Sequence, residues 1–344
     1  MTIPRTREQQ TRAQLTRAQQ TRAQQSASPE TPAAEARAAS AVEVALQEAI
    51  TAASHWLSAD QPPDTAALTA LLYDHWYARH HGTVQLPPGF PSSLVEVLRA
   101  ADTRAATWED GWVCDRVHVD GRVIARRGHE VRMLDRCDHL HATRPGAHVH
   151  AGDDLLVAGR RERVDPTDSW WRVAAASWRF TRPPVHLVRL FCHLDVAALP
   201  LLVTAVTSRL GGLTAGPAWQ LKVATDPHLH ARADAAVLYL DAEGLAAAVD
   251  AVMAIVAELG CHGRPPTPPL ARQVAPGFAV AVDPGGDESF GSHRCRLLAE
   301  ALQGWDPDTG SEVAVTRITA RLEADDIDPV SPERRRADVE LPWR

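Results

Sequence analysis

Residues 218–240, AWQLKVATDPHLHARADAAVLYL, hold two short alternating runs separated by a polar loop, and their reading decides the fold. AWQLKVA (218–224) and AAVLYL (235–240) are rich in β-branched, aromatic and aliphatic residues, as strands are. Working outward, VHLVRLFCHL (185–194) predicts a strand and AALPLLVTAVTSRLGG (197–212) a helix closed by glycine. On the other side, EGLAAAVDAVMAIVAELG (243–260) predicts a helix and PGFAVAVD (276–283) a strand. The order is β-α-β-β-α-β, a split βαβ arrangement in which helices cover a mainly antiparallel sheet. A helix over SFGSHRCRLLAEALQ (289–303) and a strand over EVAVTRITARLE (312–323) complete the expectation for this half.

Upstream, Val42, Ala45, Leu46, Ile50 and Trp56 fall at helical spacing, and TAALTALLYDHWYARHH (65–81) is a second amphipathic segment. Pro87, Pro88 and Pro91 close this region, a short helix follows near 92–101, and WVCDRVHVDGRVIARRG (112–128) opens a β meander with Asp120-Gly121 as a hairpin turn. The expected class is α+β: N-terminal helices and a β meander fused to the helix-covered sheet. The divisions expected are a disordered tail (1–40), a helical and meander region (41–170), a catalytic α+β region (171–326) and a C-terminal tail (327–344). The tail expectation rests on the five-residue repeat TREQQTRAQLTRAQQTRAQQ (6–25), whose period fits no packed helix.

The chain has 344 residues, 45% apolar, and a net charge of −7, which disfavours a dedicated nucleic-acid surface. Its five cysteines form no CxxC pair, and no apolar N-terminal segment predicts a signal peptide or membrane span. A reduced, cytoplasmic protein is expected. Lys222 is the only lysine among 36 basic side chains of the Lys and Arg type, the rest being arginine. An amine can lose its proton and act as a base, whereas guanidinium cannot.

Strand parity puts Trp219, Leu221 and Val223 on one face of AWQLKVA, and Gln220 and Lys222 on the other. Lys222 is then either a solvated cation on an open sheet face or a functional amine. Arg232 and Asp234 share parity, as a structural ion pair or as a guanidinium held ready for phosphate or carboxylate; Asp226 and Tyr239 lie near them in sequence. Arg189, in an apolar strand, needs a partner, whether a carboxylate or a phosphate. The glycine-containing loop VDPGGDESF opens a helix at Ser289, with His293, Arg294 and Arg296 in its first two turns, either as a capped surface helix or as an anion site. RCDHLHATRPGAHVH (136–150) holds Cys137, His139, His141, His148 and His150, but its spacing fits no standard zinc site, so no metal is expected. The aromatic stretches YDHWYARHH and SWWRVAAASWRF weigh more as core than as a peptide groove.

LYDHWYARHHG (72–82), QLKVATDPHLHARADAAVLYL (220–240) and PGFAVAVDPGGDESFGSHRCRLLAEAL (276–302) together resemble the HopA1 family. That family is named for a bacterial type III effector and also occurs in lanthipeptide and thioamitide biosynthetic clusters. The resemblance spans most of 60–325. It departs where the family's more usual YWN after the strand arginine is Phe191-Cys192-His193. In the biosynthetic branch the resemblance implies a cofactor-independent lyase that removes phosphate from phosphoserine or phosphothreonine of a precursor peptide, leaving dehydroalanine or dehydrobutyrine. A separate kinase and a cyclase would be its partners, and no nucleic acid or membrane. It implies Lys222 as base, its pKa lowered by burial beside Arg189 or Arg232, and His293 as proton donor to the leaving oxygen. Arg189, Arg232, Arg294, Arg296 and the Ser289 loop would hold phosphate. Asp226 and Asp234 would orient the basic groups, and Tyr239 would face peptide or enolate.

Overall fold

Among its described residues, the computed structural model holds two antiparallel sheets and seven α-helices. It describes residues 31–343, with side chains from 41 onward, except 87, 105–107, 135, 137–138, 159–161, 166–168, 176, 179–182, 214–215, 287 and 339; the side chains of 158 and 165 are also left undescribed. The repeat tail expected over 1–40 therefore lies largely outside the described residues, and helix α1 (Thr31–Leu57) already begins within its last ten positions. Helix α2 (Thr65–Leu72) is capped by Asp64, which accepts the Ala67 N–H at 2.8 Å, and runs on into one π-helical turn, Tyr73–Tyr77. Helix α3 spans Val95–Ala100.

The meander forms a five-stranded sheet of β1 (Trp108–Val117), β2 (Val123–Arg127), β3 (Glu130–Leu134), β4 (His139–His141) and β5 (Asp154–Ala158), in the order β3-β2-β1-β5-β4. Trp112, Cys114, Val123, Ala125, Leu134, Leu155 and Val157 give it a small core of its own.

The second sheet has seven strands: β6 (Glu162–Asp165), β7 (Trp170–Ala174), β8 (Leu187–Cys192), β9 (Trp219–Ala224), β10 (Ala236–Asp241), β11 (Arg272–Ala275) and β12 (Phe278–Val282). Its order is β11-β12-β8-β10-β9-β7-β6. Strand β10 is inserted between β8 and β9, antiparallel to both, as the split βαβ order requires. The sheet draws strands from both sides of residue 171, so β6 and β7 belong with the C-terminal half.

Helices α4 (Leu199–Arg209) and α5 (Leu245–Leu259) cover one face, where Val188, Leu190, Leu221, Val223, Leu238 and Val280 form the main core. The opposite face is not open along its length. Phe191, Val237 and Ala281 pack beneath α2, α6 (Phe290–Leu302) and α7 (Ser311–Ala324). Burial on both sides explains why β8 and β12 read as continuous apolar runs.

One element differs in kind. Residues 312–323, expected as a strand, lie in helix α7, whose buried residues Ala314, Ile318 and Leu322 recur every four positions. The alternating valines that suggested a strand are placed otherwise: Val313 is exposed and Val315 only partly buried. The stretch after 326 packs back instead of trailing. Glu333 accepts the Val282 N–H at 2.8 Å through its carbonyl, and Leu341 and Trp343 enter the main core.

Candidate functional site

The register of the large sheet builds the site. Lys222 on β9 stands opposite Val237 of β10 on one side and Arg172 of β7 on the other. Two residues along, Gln220 faces Tyr239, which in turn faces Arg189 on β8. Directly paired residues share a face, so Arg172, Lys222, Gln220, Tyr239 and Arg189 all lie on the side away from α4 and α5. Toward β8 this face is closed by helices. Toward β7 it is less enclosed: Lys222 is half-buried, and its Nζ sits 3.9 Å from the centroid of the Trp170 ring. A ring face attracts a cation at this distance.

Arg189 finds the partner its apolar strand demands. Its Nε donates to Asp283 Oδ2 at 2.6 Å, its Nη2 contacts the same oxygen, and its guanidinium lies 5.0 Å from the Tyr239 ring centroid. Asp283 also accepts the Gly285 N–H at 3.1 Å, which ties the glycine loop to the strand arginine. Burial raises the Tyr239 phenol above its ordinary pKa, while the charge of Arg189 and, more weakly, of Arg172 opposes the rise.

Arg232 and Asp234 meet edge to edge, Nε to Oδ1 and Nη2 to Oδ2, both at 2.9 Å. The Tyr73 hydroxyl closes this pair: it donates to Asp234 Oδ2 at 3.4 Å and lies 3.5 Å from Arg232 Nη2. Burial first, and the Asp234 charge second, push the Tyr73 phenol up to about 12. Tyr77 stacks on Tyr73 at 5.6 Å and its phenol is also raised well above the ordinary value, by burial and then by Asp234. From Tyr77, ring contacts run through Phe290 to Phe191 at 6.3 and 6.1 Å. The chain's three tyrosines, from the π-turn and β10, thus gather around two carboxylate-bound arginines.

Other expected residues take separate places. Asp226 caps the short 3-10 turn Pro227–Ala231, accepting the His228 N–H at 2.8 Å. Ser289 caps α6, accepting the Ser292 N–H at 3.1 Å. Arg296 is held near the surface by Glu288 at 3.1 Å and Glu300 at 2.8 Å.

His293 and Arg294 are buried together. Arg294 Nη1 lies 2.6 Å from His293 Nδ1; guanidinium cannot accept, so Nδ1 does, and the ring proton sits on Nε2, 3.2 Å from Asp325 Oδ2. Burial, followed by the Arg294 charge, brings His293 down to about 4. Arg294 also donates through Nε to the Pro332 carbonyl at 2.8 Å, and burial, with Arg335 next, lowers it to about 10. These side chains knit α6 to the C-terminal segment; their partners are not on the Lys222 face.

The sequence reading missed Arg172 and Tyr73. Arg172 lies in SWWRVAAASWRF, weighed only for its aromatics, and nothing local encodes its pairing with a residue fifty positions later. Tyr73 left a usable signal, since two of only three tyrosines sit four apart on one predicted helix. Among the described residues no group of three His, Cys, Asp or Glu side chains gathers as a metal site, and Cys137 of the histidine-rich stretch lies outside them.

Two solved structures are similar in fold. One is the effector protein from Pseudomonas syringae pv. tomato strain DC3000, with a TM-score of 0.54, 18% identity, and coverage of 87% of this chain and 99% of that one. The other is the effector protein from Pseudomonas syringae pv. syringae strain 61, with a TM-score of 0.51, 18% identity, and coverage of 86% and 98%. At that identity the likeness is one of fold alone. No curated protein matches. Residues 172–334 match the model of the HopA1 effector protein family, and this domain carries Arg172, Arg189, Lys222, Arg232, Asp234, Tyr239 and Asp283, while Tyr73 and Trp170 come from outside it.

Proposed function

We propose that the chain is a lyase that eliminates phosphate from phosphoserine or phosphothreonine in a ribosomally made precursor peptide. One observation carries this reading: the only lysine of the chain lies half-buried on a sheet face shared with Arg172, Tyr239 and Arg189. The α-hydrogen beside a peptide carbonyl is a weak acid, and its removal needs an amine in the neutral form. Lys222 takes that proton. The Cα–H electron pair becomes the Cα–Cβ double bond, and the Cβ–O bond breaks with its pair going to phosphate. The ammonium so formed returns the proton to the departing group, which leaves as hydrogen phosphate, and the amine is restored. This route asks nothing of His293, whose contacts are with Arg294 and Asp325.

Arg189 and Arg232 supply fixed positive charge near the reacting centre, each held by its carboxylate. A kinase must install the phosphate, and a cyclase would consume the dehydrated residues. Likeness to bacterial effectors favours a second substrate for the same chemistry, phosphothreonine in a host protein. The test is incubation with phosphoserine- and phosphothreonine-containing peptides and mass spectrometry for loss of phosphoric acid. Tight binding with no mass loss at any enzyme concentration would mean a peptide-binding protein and end the lyase reading.

A further inference from the structure

Gln220 is only 9% exposed and stands between Tyr239 of β10 and Ala174 of β7 in the register of the sheet. Its carboxamide makes no hydrogen bond to any described residue, yet its oxygen and nitrogen are not sealed from solvent as the Trp76 and Trp178 indole nitrogens are. A group with two donors and an acceptor is costly to bury unpaired, and one that stays so in a folded protein calls for a partner from outside.

The side chain dictates the chemistry of that partner. The oxygens of a phosphate dianion only accept, and would leave the Gln220 oxygen without a donor. An extended peptide residue offers both functions, with its N–H and C=O on the same side, as in a hydrogen-bonded pair of an antiparallel ladder. Lys222 lies two residues along the same strand and on the same face, about 6.7 Å away by strand rise. That gap admits one extended backbone crossing the strand, its N–H and C=O toward Gln220 and its Cα–H toward Lys222. We infer that Gln220 binds the backbone N–H and C=O of the residue to be dehydrated and so aims its Cα–H at the amine. The inference rests on the lyase reading for the proton transfer, and on Gln220 itself for peptide binding.

The test uses an alanine-flanked peptide carrying the phosphonate analogue of phosphoserine, in which a methylene replaces the ester oxygen and nothing can leave. Its depsipeptide twin has oxygen in place of the N–H of that residue. In isothermal titration calorimetry the depsipeptide should bind wild type about fivefold more weakly than the amide, and should bind Gln220→Met as well as the amide does. Gln220→Met, close in length and shape, should weaken the amide peptide by about tenfold while leaving inorganic phosphate binding within about twofold. Its urea midpoint should hold or rise, because an unpaired amide has left the interior. With phosphoserine peptide KM should rise and kcat should fall with it, since a mis-aimed Cα–H meets the amine less often. If Gln220→Met does not fold, Gln220→Glu, which keeps the acceptor and loses the donors, carries the comparison and should bind the amide at least about fivefold more weakly. No binding of the phosphonate peptide by wild type, or the same ester penalty in wild type and variant, overturns the assignment. Elimination unchanged in Gln220→Met overturns it too and leaves the lyase reading standing. Peptide binding that depends on Gln220, without elimination from phosphoserine, sustains it and overturns the lyase reading.

Discussion

Lys222→Arg separates charge from basicity at a single atom. The variant should keep the contact with Trp170 and fold normally, yet lose at least about a hundredfold in elimination rate, because guanidinium does not release a proton near neutral pH. Quantitative mass spectrometry checks this, and full activity in the variant would remove Lys222 as the base. Asp234→Asn should behave differently. It strips the charge partner from a largely buried guanidinium and weakens the acceptor of the Tyr73 hydroxyl, so stability should fall by roughly 3 kcal/mol in urea unfolding, with activity falling alongside it. Single residues also show what the sequence could disclose. The face of Lys222 was legible, because parity is a local property of a strand. Its neighbour Arg172 was not, because pairing between strands fifty residues apart is fixed by the whole sheet. His293 shows the same limit: its contacts with Arg294 and Asp325 depend on the segment after α7, which no local pattern around His293 encodes.

The elements show where pattern reading succeeds and where it misleads. Helix α6 begins against the π-turn so closely that a Cβ on Gly291 would lie 2.2 Å from the Tyr77 ring. Gly291→Ala should therefore cost roughly 1–3 kcal/mol through overpacking, and it should displace the Tyr73–Tyr77 turn and lower activity without touching Lys222. Differential scanning calorimetry and the elimination assay check the two effects. The same turn is fixed from its far end, where the His81 N–H donates to the Ala231 carbonyl at 2.7 Å, just before Arg232. Helix α7 was misread for a physical reason: Val313 and Val315 imitate strand alternation, while the residues that face its neighbours are spaced by four. Strands β8–β10 and helices α4 and α5 were legible because each carries its own period and its own stop signals.

Across the molecule, the order β8-α4-β9-β10-α5 and then β12-α6 followed from the sequence, whereas the helical state of α7 and the way α1, α2, α6 and α7 close over the second sheet face did not. That closure depends on contacts between segments far apart in the chain, as does the joining of β6 and β7 to the C-terminal sheet. The fold also buries histidines in neutral form. His230 and His293 are held at about 4, chiefly by burial, against an ordinary value near 6.5. As pH falls below 6.5 the unfolded chain takes up these protons first. The stability that the neutral rings contribute is thus present above about 6.5, declines as pH falls toward about 4, and is absent below, amounting to roughly 3 kcal/mol for His230. Urea midpoints should drop between pH 7 and 4.5, and His230→Gln should flatten that drop.

The gathering of Tyr73, Tyr77 and Tyr239 has a practical consequence for spectroscopy. Because these are all the tyrosines of the chain, biosynthetic incorporation of fluorotyrosine labels the candidate site and nothing else. Fluorine resonances from the intact protein would then report ligand entry, the state of the two arginine–carboxylate pairs and the closeness of the π-turn without any further substitution.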